Sequence, residues 1–213
     1  MELLDPAEVR VLGALLEKEA ATPEYYPLSL NALVNASNQK SNRDPVVEYD
    51  EDTVYDAVNR LREKKLAVTI TGSGRVNKYA QRISETLNLG RRELAVLCTL
   101  LLRGPQTLGE IKDRSERMFS FADPAEVESV LEKLAEWPPT ALVTKLARQP
   151  GQKEARYSHL LSGEPRREAA IADTAASATP PTRVAQLEHE LQQLRAEFNE
   201  LKKRFDDLEA QLR

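Results

Sequence analysis

Apolar positions along this chain fall into one order of patterns that occurs twice. Val9-Arg-Val-Leu-Gly-Ala-Leu-Leu and Leu94-Ala-Val-Leu-Cys-Thr-Leu-Leu each have the dense apolar spacing of a buried helix. The first follows Asp5-Pro6-Ala7-Glu8, a helix start in which Asp caps orphan amides, Pro suits the first turn and Glu faces the positive dipole end. Thr22-Pro-Glu-Tyr-Tyr-Pro breaks that helix, and residues 28–36 predict a short second one. A third runs over residues 50–65, with Val54, Val58 and Leu61 on its inner face. Val68-Thr-Ile-Thr then alternates as a strand, Gly72-Ser-Gly74 turns, and residues 76–81 return. The second copy predicts helices over 90–102, 107–115 and 124–136, with Val127, Leu131 and Leu134 inward, and strands over 142–147 and 155–159. Both copies close on a tyrosine, Tyr79 and Tyr157.

A repeat of about 80 residues is too long for a solenoid unit and suits two small duplicated domains. Three helices followed by a two-stranded wing is the order of a winged helix-turn-helix. The expected fold is therefore mainly α with small β wings, an α+β arrangement of two tandem winged-helix domains over residues 1–86 and 87–161. Residues 162–183 turn to Gly, Pro, Ala, Ser and Thr without an apolar pattern and predict a linker.

Beyond the linker, residues 184–213 carry a heptad repeat. Val184, Leu187, Leu191, Leu194, Phe198, Leu201, Phe205, Leu208 and Leu212 alternate in steps of three and four. A lone exposed helix with that seam needs a partner. In a parallel in-register dimer Glu190 faces Arg195, Glu197 faces Lys202, and Arg204 faces Glu209 across the chains. The antiparallel register would set Glu197 against itself, Glu188 against Glu209 and Arg195 against Lys202. Exposed pairs contribute only about 0.2–1 kcal/mol each, but here they all favour the parallel dimer. A helix folded back on its own domains, or a larger or mixed bundle, is the competing arrangement.

Composition narrows the chemistry. Net charge is −4, and there is one cysteine and two histidines in 213 residues. Cys98 lies in an apolar run and reads as a buried structural thiol. His159 and His189 stand apart, so no zinc cluster, Cys/His pair or other catalytic constellation can be written. Gly72-Ser-Gly74 leads into a strand and is a hairpin turn, not a phosphate loop. No signal peptide or membrane-spanning run is evident, and a lone cysteine fits a reducing compartment. The expectation is a cytoplasmic binding protein with no cofactor, metal or evident small-molecule substrate, and no enzymatic activity.

Charge placement divides two binding roles. In a winged helix the third helix enters the major groove. Its outward positions here are Asp52, Asp56, Asn59 and Glu63, and those of the second copy include Glu132 and Glu136. Carboxylates facing a polyanion oppose that mode and suit a basic or peptide partner. Cations lie nearby: Arg60, Arg62, Lys64 and Lys65 at the end of the third helix, and Arg75 and Lys78 in the wing. They keep open a DNA-binding regulator that uses wings and phosphate contacts, although basic residues at a helix C-terminus also simply complement its dipole.

Asn38-Gln-Lys-Ser-Asn-Arg-Asp-Pro-Val-Val-Glu-Tyr-Asp-Glu, followed by Val54 and Leu61-Arg62-Glu-Lys, resembles the YceH family of uncharacterised bacterial proteins. The resemblance spans about residues 3–161 and implies a tandem winged-helix architecture. It carries no activity over. Its motif includes Asn38, Gln39, Lys40, Ser41, Asn42, Arg43 and Asp44. These side chains suit a binding loop for phosphates, peptide backbone or acidic groups. They suit equally a rigid turn whose Asn and Asp side chains satisfy local backbone. The leading expectation is a dimeric protein-interaction or regulatory adaptor, with the DNA-binding regulator as the alternative.

Overall fold

The Asp5 carboxylate accepts from the Glu8 amide at 2.8 Å, and the Glu8 carboxylate accepts from the Asp5 amide at 2.7 Å. This reciprocal cap starts α1 (Pro6–Ala21) where the Asp-Pro-Ala-Glu signal predicts it. The computed structural model describes residues 2–71, 76–148 and 151–165, all within the unit Met1–Pro165. The turn expected at 72–74, most of the expected linker and the entire heptad tract lie outside the described residues.

The segment after α1 departs from the sequence expectation. Leu28 does not begin a helix. It and Ser29 form β1 (Leu28–Ser29), and α2 (Leu30–Ser37) starts only after Ser29 caps it, its Oγ accepting from the Ala32 amide at 3.3 Å. The extended backbone of a capping serine places the preceding leucine in a strand. Asp50 caps α3 (Glu51–Glu63) in the same way, from the Thr53 amide at 2.8 Å. Val54, Ala57, Val58 and Leu61 turn inward and are completely buried. β2 (Ala67–Ile70) and β3 (Lys78–Gln81) follow, and the antiparallel sheet has the order β1-β3-β2 with Tyr79 opposite both Leu28 and Thr69.

A short helix, α4 (Ile83–Thr86), occupies the connection to the second half. There α5 (Arg91–Arg103), α6 (Leu108–Ser115), α7 (Pro124–Ala135), β4 (Val143–Lys145) and β5 (Tyr157–His159) repeat the earlier order. Both final strands are shorter than the alternation predicts. The repeat extends to detail. Thr107 caps α6 as Ser29 caps α2, and the residue before it, Gln106, bridges to Tyr157 as Leu28 pairs with Tyr79. The architecture is thus mixed α with small antiparallel sheets.

The two halves share one apolar core. Every residue of α1 from Glu8 to Leu16 is buried, because α2, α3 and α5 all pack against it. Val11, Leu12, Ala14 and Leu15 from α1 join Val96, Leu97 and Leu100 from α5 in a single cluster, all with no exposure. Gly13 permits this contact. A methyl group there would stand 2.7 Å from Leu102 Cδ2 and 3.3 Å from Leu101 Cβ. The Cys98 thiol, buried as expected, donates weakly to the Gly13 carbonyl at 3.4 Å. Further backbone closure comes from the Leu4 amide, which donates to Leu161 O at 2.8 Å. Among the described residues no helix is long and apolar enough to cross a membrane.

Candidate functional site

The polar run at residues 38–44 forms a clasped loop. Asn38 caps the end of α2, and its side-chain amide both donates to Tyr49 O at 2.7 Å and accepts from Tyr49 N at 2.9 Å. Arg43 turns inward until its side chain has no exposure. Its guanidinium grips Glu17 of α1 through two bonds of 3.1 and 2.6 Å, and also donates to Ala36 O and Gln39 Oε1. Buried Arg10 holds both ends of the loop, donating to Ser37 O and Pro45 O. Burial, and next the charge of Arg43, push the Arg10 pKa down. The loop is tied to the second half as well, since Asp44 N donates to Leu102 O at 2.9 Å and Arg103 donates to Asn42 Oδ1. Asn42 sits at φ 60°, a left-handed backbone that asparagine tolerates well. Of the motif, Asn38, Gln39 and Arg43 are engaged inside, while Lys40, Ser41, Asn42 and Asp44 remain exposed.

The third helix divides its charges. Asp52, Asp56 and Glu63 are exposed and Asn59 is half-buried, so the acidic outward face is real. Glu132 and Glu136 are likewise exposed, on α7 and at its C-cap. The cations behave differently from one another. Lys64 donates to both oxygens of Glu8, at 2.7 and 2.8 Å, and to Leu3 O. Arg60 pairs with Asp5 at 2.8 Å and stands 3.8 Å from Glu8. Glu8 is 1% exposed, so a buried carboxylate, with Asp5 beside it, takes up two of the six basic groups expected for nucleic acid. Arg62 bonds Asn59 and stays exposed, as do Lys65 and Lys78. Arg75 and the coiled-coil seam from Val184 to Leu212 lie outside the described residues.

Beside the clasped loop lies a cleft of about 470 Å³. Lys18 and Thr22 from the end of α1 form one wall, and Gln39, Ser41 and Asn42 of the loop form the second. Arg103 at the end of α5 and Arg114, Arg117 and Met118 in and after α6 complete it. Its one carboxylate, Glu17, is already bound by Arg43. Burial, and then the positive charges of Arg114 and Arg43, hold the Arg103 pKa below its usual value. Arg114 is 3.6 Å from Glu110, which it shares with Arg156 at 3.2 Å. Arg117 has no carboxylate partner among the described residues. No group of His, Cys, Asp and Glu able to hold a metal occurs among those residues.

Comparison with known proteins now places the chain. Residues 4–152 match the family model described as "Protein of unknown function, DUF480". A UPF0502 protein of Solibacter usitatus (strain Ellin6076) is 54% identical over 205 residues, covering 95% of this chain and 98% of its own. The chain belongs to the DUF480 (UPF0502) family. A UPF0502 protein of Pelobacter propionicus is 52% identical over 215 residues, with 98% of each chain covered. One from Geobacter sulfurreducens is 58% identical over 163 residues, covering 76% of this chain and 74% of its own. Membership in an uncharacterised bacterial family agrees with that much of the resemblance; the names the matches carry are DUF480 and UPF0502, not YceH. The DUF480 match takes in the clasped loop, both acidic faces and every residue of the cleft.

Sequence reading missed the cleft. Lys18, Arg103, Arg114 and Arg117 lie on three different helices or just beyond them, and each alone looks like an ordinary C-terminal cation. Residues 103–117 hold four cations but also three carboxylates, so their local charge gave no signal of it.

Proposed function

We propose that this protein is a non-enzymatic regulatory adaptor built from two winged-helix units. Residues 184–213 pair it with a second copy in a parallel coiled coil, and the acidic α3 face receives a basic or peptide partner. The engagement of Arg60 and Lys64 by Asp5 and Glu8 carries this reading. With Lys64 held against buried Glu8 and the half-exposed Arg60 paired with Asp5, the exposed charges of α3 are Glu51, Asp52, Asp56 and Glu63 against the single cation Arg62. Such a surface repels a phosphate backbone and attracts lysine and arginine side chains. Dimerisation would double a weak contact into an avid one. A DNA-binding role would have to work from Arg62, Lys65 and Lys78 among the described residues, with the α3 carboxylates set against it.

Fluorescence anisotropy with the full-length chain separates the two. Random duplex DNA should fail to bind at low salt. A lysine-rich helical peptide should bind saturably, and Asp52→Asn with Asp56→Asn should weaken it about tenfold. Tight DNA binding with a steep log-linear salt slope, lost on Lys78→Ala, would reject the adaptor and establish the regulator.

A further inference from the structure

The cleft between the end of α1, the clasped loop and the ends of α5 and α6 carries a charge imbalance that the fold does not use. Three helix C-termini converge on it, and each brings about half a negative charge. Glu17 is neutralised by Arg43, and Arg114 is partly met by Glu110. Lys18, Arg103 and Arg117 remain, and their three charges exceed the roughly one and a half of the helix ends. Lys18 donates to Gln39 Oε1 and stands 3.6 Å from Glu17, which it shares with Arg43, while Arg103 donates to the neutral Asn42 Oδ1, so one carboxylate is divided between two cations. Cations grouped in this way, close enough for Arg114 to oppose the charge of Arg103, call for a compact anion.

Size and lining narrow the anion. About 470 Å³ falls within the range of small-molecule sites. Guanidinium groups form paired hydrogen bonds with phosphoryl oxygens, while Ser41 and Thr22 supply hydroxyls and Met118 an apolar contact. We propose that this cleft binds a small phosphorylated ligand, with the phosphoryl group between Arg103, Arg114 and Arg117 and the remainder of the ligand against the clasped loop. The site is independent of what the α3 face receives. It joins α1 and the loop of the first half to α5 and α6 of the second, so an occupant would brace the two halves together. A long nucleic acid is the poorer occupant, because exposed Asp52, Asp56 and Glu63 oppose any polyanion that spreads over the surface.

The test is calorimetric titration of the full-length chain with inorganic pyrophosphate, in magnesium-free and phosphate-free buffer at fixed ionic strength. The expected result is saturable binding of one pyrophosphate per chain with an accompanying rise in melting temperature. Arg117→Gln and Arg114→Gln should each weaken it about tenfold or more. Arg117 is exposed and the Arg114 side chain is about a third exposed, and circular dichroism would confirm that the variants fold. Arg82→Gln, at an exposed cation that does not line the cleft, should bind like the parent chain. Absence of saturable binding, or unchanged binding in both cleft variants, would overturn the proposal. So would equal affinity for succinate, which would replace the phosphoryl assignment, or displacement of pyrophosphate by short duplex DNA.

Discussion

Arg43 is a cation whose observed contacts are all internal: a carboxylate of α1, the last turn of α2 and two residues of its own loop. Removing it leaves Glu17, which is only 14% exposed, with Lys18 at 3.6 Å as its remaining cation, and leaves the Ala36 carbonyl without its donor. Arg43→Ala should therefore lower stability by about 3–5 kcal/mol, read from the urea midpoint. Arg43→Lys should recover only part of that loss, since an ammonium cannot fork to two oxygens of Glu17 and still reach Ala36. A variant as stable as the parent would mean that the clasp does not fix the loop. A second residue sets a pH dependence. Burial depresses the His159 pKa from 6.5 to about 4, and its Nδ1 is buried without a partner among the described residues. The unfolded chain then binds the proton more readily than the folded one, so stability is full above about pH 6.5 and falls as pH drops towards 4. The loss should reach about 2 kcal/mol near pH 5. His159→Gln should remove that part of the slope, and urea midpoints between about pH 5 and 7.5 would check it.

At the scale of elements, periodicity made the large helices legible. α1, α3, α5 and α7 begin at capping or turn residues and present apolar faces in the predicted positions, because helix burial leaves a regular trace in sequence. β1 left no such trace. Two residues cannot alternate, and Leu28 continues the apolar spacing of α2, so only the capping geometry of Ser29 separates them. α4 is a single turn in a polar connection and was illegible for the same reason. The acidic face of α3 followed from its wheel alone, whereas the engagement of Arg60 and Lys64 did not. Their partners Asp5 and Glu8 lie 55 and 56 residues away, and Glu8 looked like an ordinary first-turn carboxylate. Arg43 was hidden likewise, since an arginine in a polar run reads as solvated until Glu17, 26 residues upstream, is brought beneath it. Long-range ion pairs and the electropositive cleft are products of packing between elements, which a local pattern does not encode.

Over residues 1–165 the duplicated pattern conceals a dependence of each half on the other. Had the halves packed loosely, α1 and α5 would each keep one polar stripe. Instead Val11, Leu12, Ala14, Leu15, Val96, Leu97 and Leu100 are all completely buried, and Gly13 lets the two helices approach closely. Damage at this contact should therefore be felt in both halves. Gly13→Val adds a β-branched side chain where even a methyl group would meet Leu102 at 2.7 Å, and overpacking of this kind costs about 1–3 kcal/mol or more. The chain provides its own reporter, because its single tryptophan, Trp137, lies beyond α7 in the second half. The Trp137 indole donates to Leu87 O at 3.1 Å in the connection between halves. Far-UV circular dichroism and Trp137 fluorescence should give coincident urea transitions in the parent chain. In Gly13→Val, a substitution confined to the first half, both should shift together to lower denaturant. A circular dichroism transition that moves while the Trp137 transition stays in place would mean that the halves fold separately, and that the shared core is a docking contact between independent domains.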